Sequence, residues 1–294
     1  MKGQNNKKKR TYQIMCLFFS ILLICGLTCL TAYIIGLKRA ANEMEAILNA
    51  YVSEGGNSEE ASDEPKSLEK TEESAESIEE MIEIPETPVD LSLYGVTDRS
   101  IDWASLQEEQ NKDIYAWIVI PGTVIDYPVL QHPEEMDYYL QHNLDGSKGR
   151  PGCIYTQRMN SKDWSDRNTV LYGHNMQIGT MFAGLHEFED AGFFEENQYI
   201  HIYSEDGRIL VYEIFAAYVF SDAHILMTYD FYTDEGFQQY LDTVRESAED
   251  NGNFRQESDP DIEDKIITLS TCVRGNSSQR YLVQGVLIAE GEQP

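Results

Sequence analysis

Positive charge is scarce in this chain: 22 lysines and arginines stand against 51 aspartates and glutamates over 294 residues, a formal net charge of −29. A nucleic-acid partner would need a basic face to release phosphate counterions, so that class of function is excluded. Cysteine is scarce too. Of the five, Cys16, Cys25 and Cys29 fall in one apolar run, leaving only Cys153 and Cys272 for the rest of the chain, too few for a disulfide framework. HExxH, paired CxxC and acidic calcium-loop patterns are all missing, and the six histidines show no ligand spacing, so no metal is expected. The GxSxG elbow, the P-loop and GxGxxG are missing as well. Serine-hydrolase, nucleotide and dinucleotide chemistry therefore lose their usual support, and no cofactor is expected.

What the chain does have is one long uncharged run, Ile14 to Gly36. At about 1.5 Å rise per residue such a run is long enough to cross a bilayer core. Lys7, Lys8, Lys9 and Arg10 precede it and only Lys38 and Arg39 follow closely, which places the N-terminus in the cytoplasm. A cleaved signal peptide would have a shorter apolar region of about 7 to 15 residues. Residues 1–10 are thus expected to be a cytoplasmic basic tail, 11–37 a transmembrane signal anchor, and everything beyond to be extracellular. Glu, Ser, Thr and Pro dominate from Ser53 to Asp90. That composition cannot offset the entropy of ordering a chain, and 38–93 is expected to be an acidic, disordered stalk. The folded domain is expected over 94–294.

Within that domain, Ile101, Trp103, Leu106 and Ile114 have spacings that suit an amphipathic helix, with Asp98 or Ser100 as its cap. Eight short runs rich in Val, Ile, Tyr and Phe follow: Ala116 to Ile120, Val124 to Leu130, Gly152 to Thr156, Thr169 to Tyr172, Tyr199 to Tyr203, Ile209 to Phe220, Lys265 to Cys272 and Tyr281 to Ala289. They read as strands, with an Asp206-Gly207 hairpin turn between the fifth and sixth. Two helices are expected among them, Thr180 to Phe188 and Asp234 to Asp250. The second places Phe237, Tyr240, Leu241 and Val244 on one face. The class is mainly β, with about eight strands in a barrel or sandwich.

Cys272 ends an apolar strand pattern and is followed by Val273 to Ser278, which reads as an exposed loop, so its thiol should sit at a surface cleft. Taken alone, a cysteine is more often a small buried hydrophobe. His174 also ends a strand, beside a glycine that lets backbone come close. Arg280 lies a short loop beyond Cys272, and a guanidinium there would stabilise a thiolate or a tetrahedral oxyanion. The other five histidines have no partner pattern and read as surface or structural residues.

Thr268-Leu269-Ser270-Thr271-Cys272, Tyr172-Gly173-His174-Asn175-Met176 and Arg280 together resemble a sortase of class B. Ala116 to Val129 is similar to the family's first strands, Met181-Phe182 through Phe193-Phe194 to the stretch after its histidine, and the resemblance spans about 98 to 289. It implies an eight-stranded sortase-type β-barrel with N-terminal helices and a long helix before the seventh strand. It also implies a membrane-anchored cysteine transpeptidase that cleaves a C-terminal sorting signal, LPxTG- or NPxTx-like, and transfers the acyl threonine to a cell-wall amine. By resemblance Cys272 is the nucleophile, His174 the acid and base, Arg280 the oxyanion-side cation, and Tyr172, Ser270 and Thr271 bind substrate. The implied partners are sorting-signal-bearing surface proteins, a peptidoglycan precursor or cell-wall peptide amine, and the membrane through the N-terminal helix. Two other functions fit the same residues, a cysteine endopeptidase on this fold and an inactive tethered binding module. Cys153 stands where the family has a small residue, and a small buried thiol is expected there rather than a disulfide to Cys272.

Overall fold

The computed structural model describes residues 2–54 and 89–293, less a number of side chains in the first helix. That helix, α1, spans Lys2–Tyr51 and contains the uncharged run. Leu23, Ile24, Leu27, Leu30 and Ile35 of the run are exposed, whereas the side chains of Cys16 and Cys29 lie outside the described residues. Among the described residues no helix is long and apolar enough to cross a membrane.

α1 leads into β1 (Val52–Glu54), which pairs antiparallel with β2 (Arg99–Ile101). Within the segment 38–93 expected to be a stalk, residues from Met44 to Glu54 contact the folded body. Ile47, Leu48, Tyr51 and Val52 pack on the cluster of Leu106, Ile114, Trp117 and Leu130, and Arg99 bonds both Glu54 and Asp126, at 3.2 and 2.7 Å. The acidic segment 55–88 lies outside the described residues. A 3₁₀ turn, Leu91–Tyr94, is capped by the Asp90 side chain. The first domain helix is shorter than its pattern suggests: α2 covers Trp103–Glu109 and is capped by Asp102, whose carboxylate accepts from the Ser105 N–H. Ile101 and Ile114 fall in strands on either side of it.

All eight expected strands are present. They are β3 (Ile114–Val119), β4 (Asp126–Leu130), β5 (Ile154–Thr156), β6 (Asn168–Tyr172), β7 (Tyr199–Ser204), β8 (Arg208–Ser221), β10 (Ile266–Val273) and β11 (Asn276–Glu292), with the short β9 (Gly252–Phe254) added on β8. Their order is β11-β10-β6-β5-β4-β3-β7-β8, and β8 pairs back onto β11, which closes the barrel. Alternation sorts neighbouring residues to opposite faces. Ile267 and Leu269 join the core that all eight strands share, whereas Ile266 joins a second cluster under α5 (Asp234–Asn251).

α5 precedes the seventh barrel strand, β10. Its N-terminus is held by Thr233, whose hydroxyl accepts from the Gly236 N–H, and Phe237, Tyr240, Leu241 and Val244 are buried. The other expected helix appears as a 3₁₀ stretch, Phe182–Glu189, followed by α3 (Ala191–Glu196), and a single helical turn, α4 (Ile225–Thr228), comes before α5.

Candidate active site

β6 and β10 run parallel, with Tyr172 opposite Ser270. His174 and Cys272 each lie two residues beyond that pair, so strand register alone brings them to the same end of the barrel. Cys272 is exposed, and its strand partner on β11 is Arg280. The expected loop after Cys272 is instead a tight hairpin: Val273 pairs with Asn276, and only Arg274 and Gly275 turn between them, Gly275 at φ +79°. The Arg280 guanidinium donates to the Ser277 and Gln279 carbonyls, both at 2.9 Å.

Gly173 is required by close approach. A Cβ there would lie 2.5 Å from Ile154 Cδ1 and 2.7 Å from Phe182 Cδ2. The next residue, His174, is half-buried, and its Nε2–H donates to the Leu140 carbonyl at 2.7 Å, which leaves Nδ1 as the basic nitrogen. Burial holds the imidazole below the ordinary histidine range, and the charge of Arg150 acts the same way, against the opposing hydrogen bond to Leu140. The ring is therefore neutral at neutral pH.

One cleft is lined by Cys272, His174, Arg280, Tyr172, Ser270 and Thr271 together. All six residues singled out in the sequence converge there. Thr271 is buried and its hydroxyl donates to the Gly173 carbonyl at 2.8 Å, so it fastens β10 to the histidine segment and presents no free hydroxyl donor. Across the cleft the Tyr172 hydroxyl and both His224 ring nitrogens have no hydrogen-bond partner among the described residues. A more apolar groove lies between α1 and β4, lined by Met44, Glu45, Leu48, Val124, Asp126 and Ile178, with no cysteine or histidine in its wall.

The family model described as the sortase domain matches residues 118–288. The chain is a class B sortase. It is 34% identical over 187 residues to sortase B of Listeria monocytogenes, which covers 62% of this chain and 73% of that protein. Among solved structures, Clostridium perfringens sortase B superposes with a TM-score of 0.55 at 31% identity, covering 63% of this chain and 99% of that one. A Staphylococcus aureus sortase B–substrate complex does so at 0.54 and 31%, covering 63% and 84%. Membership makes the chain a cysteine transpeptidase of the cell wall.

Two parts of this sortase's site escape a reading by pattern. Asp137, from the loop before a 3₁₀ turn at Tyr138–Leu140, lines the cleft and accepts from the Tyr155 hydroxyl at 3.1 Å and Gln157 Nε2 at 2.8 Å. His186, which carries no motif, sits against the main chain of the nucleophile: its Nε2 is 3.1 Å from the Cys272 carbonyl oxygen. Cys153, by contrast, is free and buried, and its thiol is pushed up by desolvation. Its sulfur donates to the His142 carbonyl at 3.5 Å, so it behaves as the packed thiol expected.

Proposed function

We propose that Cys272, His174 and Arg280 carry the transpeptidation, on the strength of one observation: the β6–β10 and β10–β11 registers bring all three to one cleft. Cys272 Sγ attacks the threonine carbonyl of a sorting signal of the LPxTG or NPxTx type as its proton passes to Nδ1 of the neutral His174. The tetrahedral oxyanion forms on the side of Arg280, whose charge stabilises it. As the intermediate collapses, the carbon–nitrogen bond breaks and His174 returns the proton to the leaving amine, giving a thioester on Cys272. An incoming cell-wall amine then attacks, His174 takes its proton, and the thiolate leaves. Tyr172, Ser270 and Thr271 form the groove wall that holds the signal.

The same reading makes residues 11–37 a single membrane anchor with a cytoplasmic N-terminus and an extracellular catalytic domain. The uncharged run inside a 50-residue helix, the exposed apolar side chains along it, and the preceding basic cluster support this. Sorting-signal-bearing surface proteins and a peptidoglycan-type amine are the corresponding partners.

Mass spectrometry tests the chemistry. The full chain in detergent is incubated with sorting-signal peptides, with and without a glycine-type or diamino-acid amine. A thioacyl adduct on Cys272 resolved faster by amine than by water is the expected result. No adduct on reduced, folded protein would overturn the assignment, and hydrolysis unaffected by amine would point to an endopeptidase.

A further inference from the structure

The last backbone bond between the histidine segment and β10 runs from the Gly173 N–H to the Ser270 carbonyl, at 3.2 Å. Beyond it the chain leaves the sheet to present His174, and the next acceptor along β10, the Cys272 carbonyl, loses its ladder donor. A side chain takes over that role. Asn175 Nδ2 donates to the Cys272 carbonyl at 3.0 Å.

The same Nδ2 lies 2.8 Å from His186 Nε2, and His186 Nδ1 lies 2.6 Å from Glu189 Oε1. On a neutral ring, Glu189 and the Asn175 amide together select one assignment of protons. An ionised Glu189 can only accept, so Nδ1 carries the hydrogen; Nε2 then holds a lone pair and accepts the second hydrogen of the Asn175 amide. With the opposite tautomer, Nε2–H would point at the amide donor and compete with it for the Cys272 carbonyl, 3.1 Å from Nε2. The ring is further held by stacking on Tyr281, centroids 4.9 Å apart, the residue that follows Arg280 on β11.

We propose that Glu189, His186 and Asn175 form a positioning relay for the nucleophile. Glu189 selects the Nδ1–H tautomer of His186, His186 orients the Asn175 amide, and the amide fixes the Cys272 main chain at the strand end. Because Asn175 follows His174 directly, one amide ties the nucleophile to its acid–base partner. The proposal rests on Cys272 being the nucleophile. None of the three residues touches the reacting atoms, so their effect is on geometry and not on proton transfer.

Three variants separate the relay from simple packing. Asn175→Ala removes the donor; His186→Phe keeps the ring on Tyr281 but removes the acceptor; His186→Gln keeps an acceptor oxygen near the Nε2 position. Asn175→Ala and His186→Phe are expected to lower kcat for thioacylation by about 10- to 100-fold, with KM nearly unchanged and melting temperature retained. His186→Gln should recover most of the loss. Unchanged kcat in both damaging variants, or a His186→Gln variant as slow as His186→Phe, overturns the relay. A second readout needs neither substrate nor variant. The ¹⁵N resonances of His186 in the wild-type chain should report protonated Nδ1 and unprotonated Nε2, and the reverse pattern overturns the proposal. If the wild type forms no thioacyl adduct, the sortase roles fail by themselves, while the tautomer and the rate of Cys272 alkylation by iodoacetamide, slower in Asn175→Ala, still decide the relay.

Discussion

The two residues assigned to bond making sit in different surroundings. Cys272 is exposed at the end of a strand, open to reagent, whereas Cys153 is buried and held as a neutral thiol by desolvation. His174 is tuned by burial and by Arg150. Its lowered pKa means that more acid than usual is needed to protonate it, so the neutral imidazole required to receive the Cys272 proton persists below the ordinary histidine midpoint of about 6.5. The acid limb of the thioacylation rate should accordingly have its midpoint below 6.5, and Arg150→Gln should move that midpoint upward. Stopped-flow acylation across pH 4.5 to 8 checks both, and a wild-type midpoint at or above 6.5 would contradict the environment described for His174.

At the scale of the element, α5 is fastened to the barrel by one buried glutamine as well as by its apolar face. Gln284 on β11 is fully buried; it accepts from the Tyr218 hydroxyl at 2.9 Å and donates to the Tyr240 hydroxyl of α5 at 2.8 Å and to Thr268 Oγ1 at 2.7 Å. Thr268 in turn donates to Asn168 Oδ1 at 2.8 Å, linking β6. Gln284→Ala would leave several buried polar groups unsatisfied and a cavity besides. A loss of about 2–4 kcal/mol is expected in urea unfolding, with the slope unchanged. The elements themselves were legible because enrichment in β-branched and aromatic residues is local: Ile266 to Cys272 holds four β-branched residues within seven. The end of α1 was not legible as part of the fold, because Val52 pairs with Ile101, and a partner 49 positions away leaves no mark on a local window. α2 was overextended for a related reason. Ile101 and Ile114 share the spacing of a helix face, yet the Asp102 cap begins the helix after one strand, and Ile114 opens the next. In the site, Cys272 and His174 stood out through their strand-end settings and Arg280 through its short distance along the chain. His186 did not, since its partners Asn175 and Cys272 lie 11 and 86 residues away and meet it only after folding.

For the molecule as a whole, the attachment of α1 changes what the acidic segment does. Residues 55–88 carry twelve carboxylates and two lysines, and by composition they resemble a spacer between membrane and enzyme. They do not occupy that place in the architecture. Val52–Glu54 is already paired with Arg99–Ile101, the Tyr51 hydroxyl donates to Glu109 at 2.7 Å, and the Asp102 N–H donates to the Tyr51 carbonyl at 2.9 Å. The segment therefore closes a loop between two parts of one folded body, and on the anchored reading proposed above the domain stands only about 22 Å of helix beyond Gly36. Replacing 55–88 by a Gly/Ser linker of about eight residues should leave the barrel and the anchor attachment intact. It should also stabilise the chain by about 1 kcal/mol, because closing a shorter loop forfeits less entropy. Arg99→Ala should do the opposite. It removes the buried guanidinium, 5% exposed, that pairs with Asp126 and Glu54; among the described residues Asp126 keeps only the Trp117 Nε1–H, and stability should fall by about 1–3 kcal/mol, with little direct effect on the cleft. Thermal melts of the two variants beside the wild type decide the matter. A loop-replaced chain that melts well below the wild type would show that 55–88 contributes to the fold, and an Arg99→Ala chain as stable as the wild type would show that α1 is not fastened to the barrel in this way.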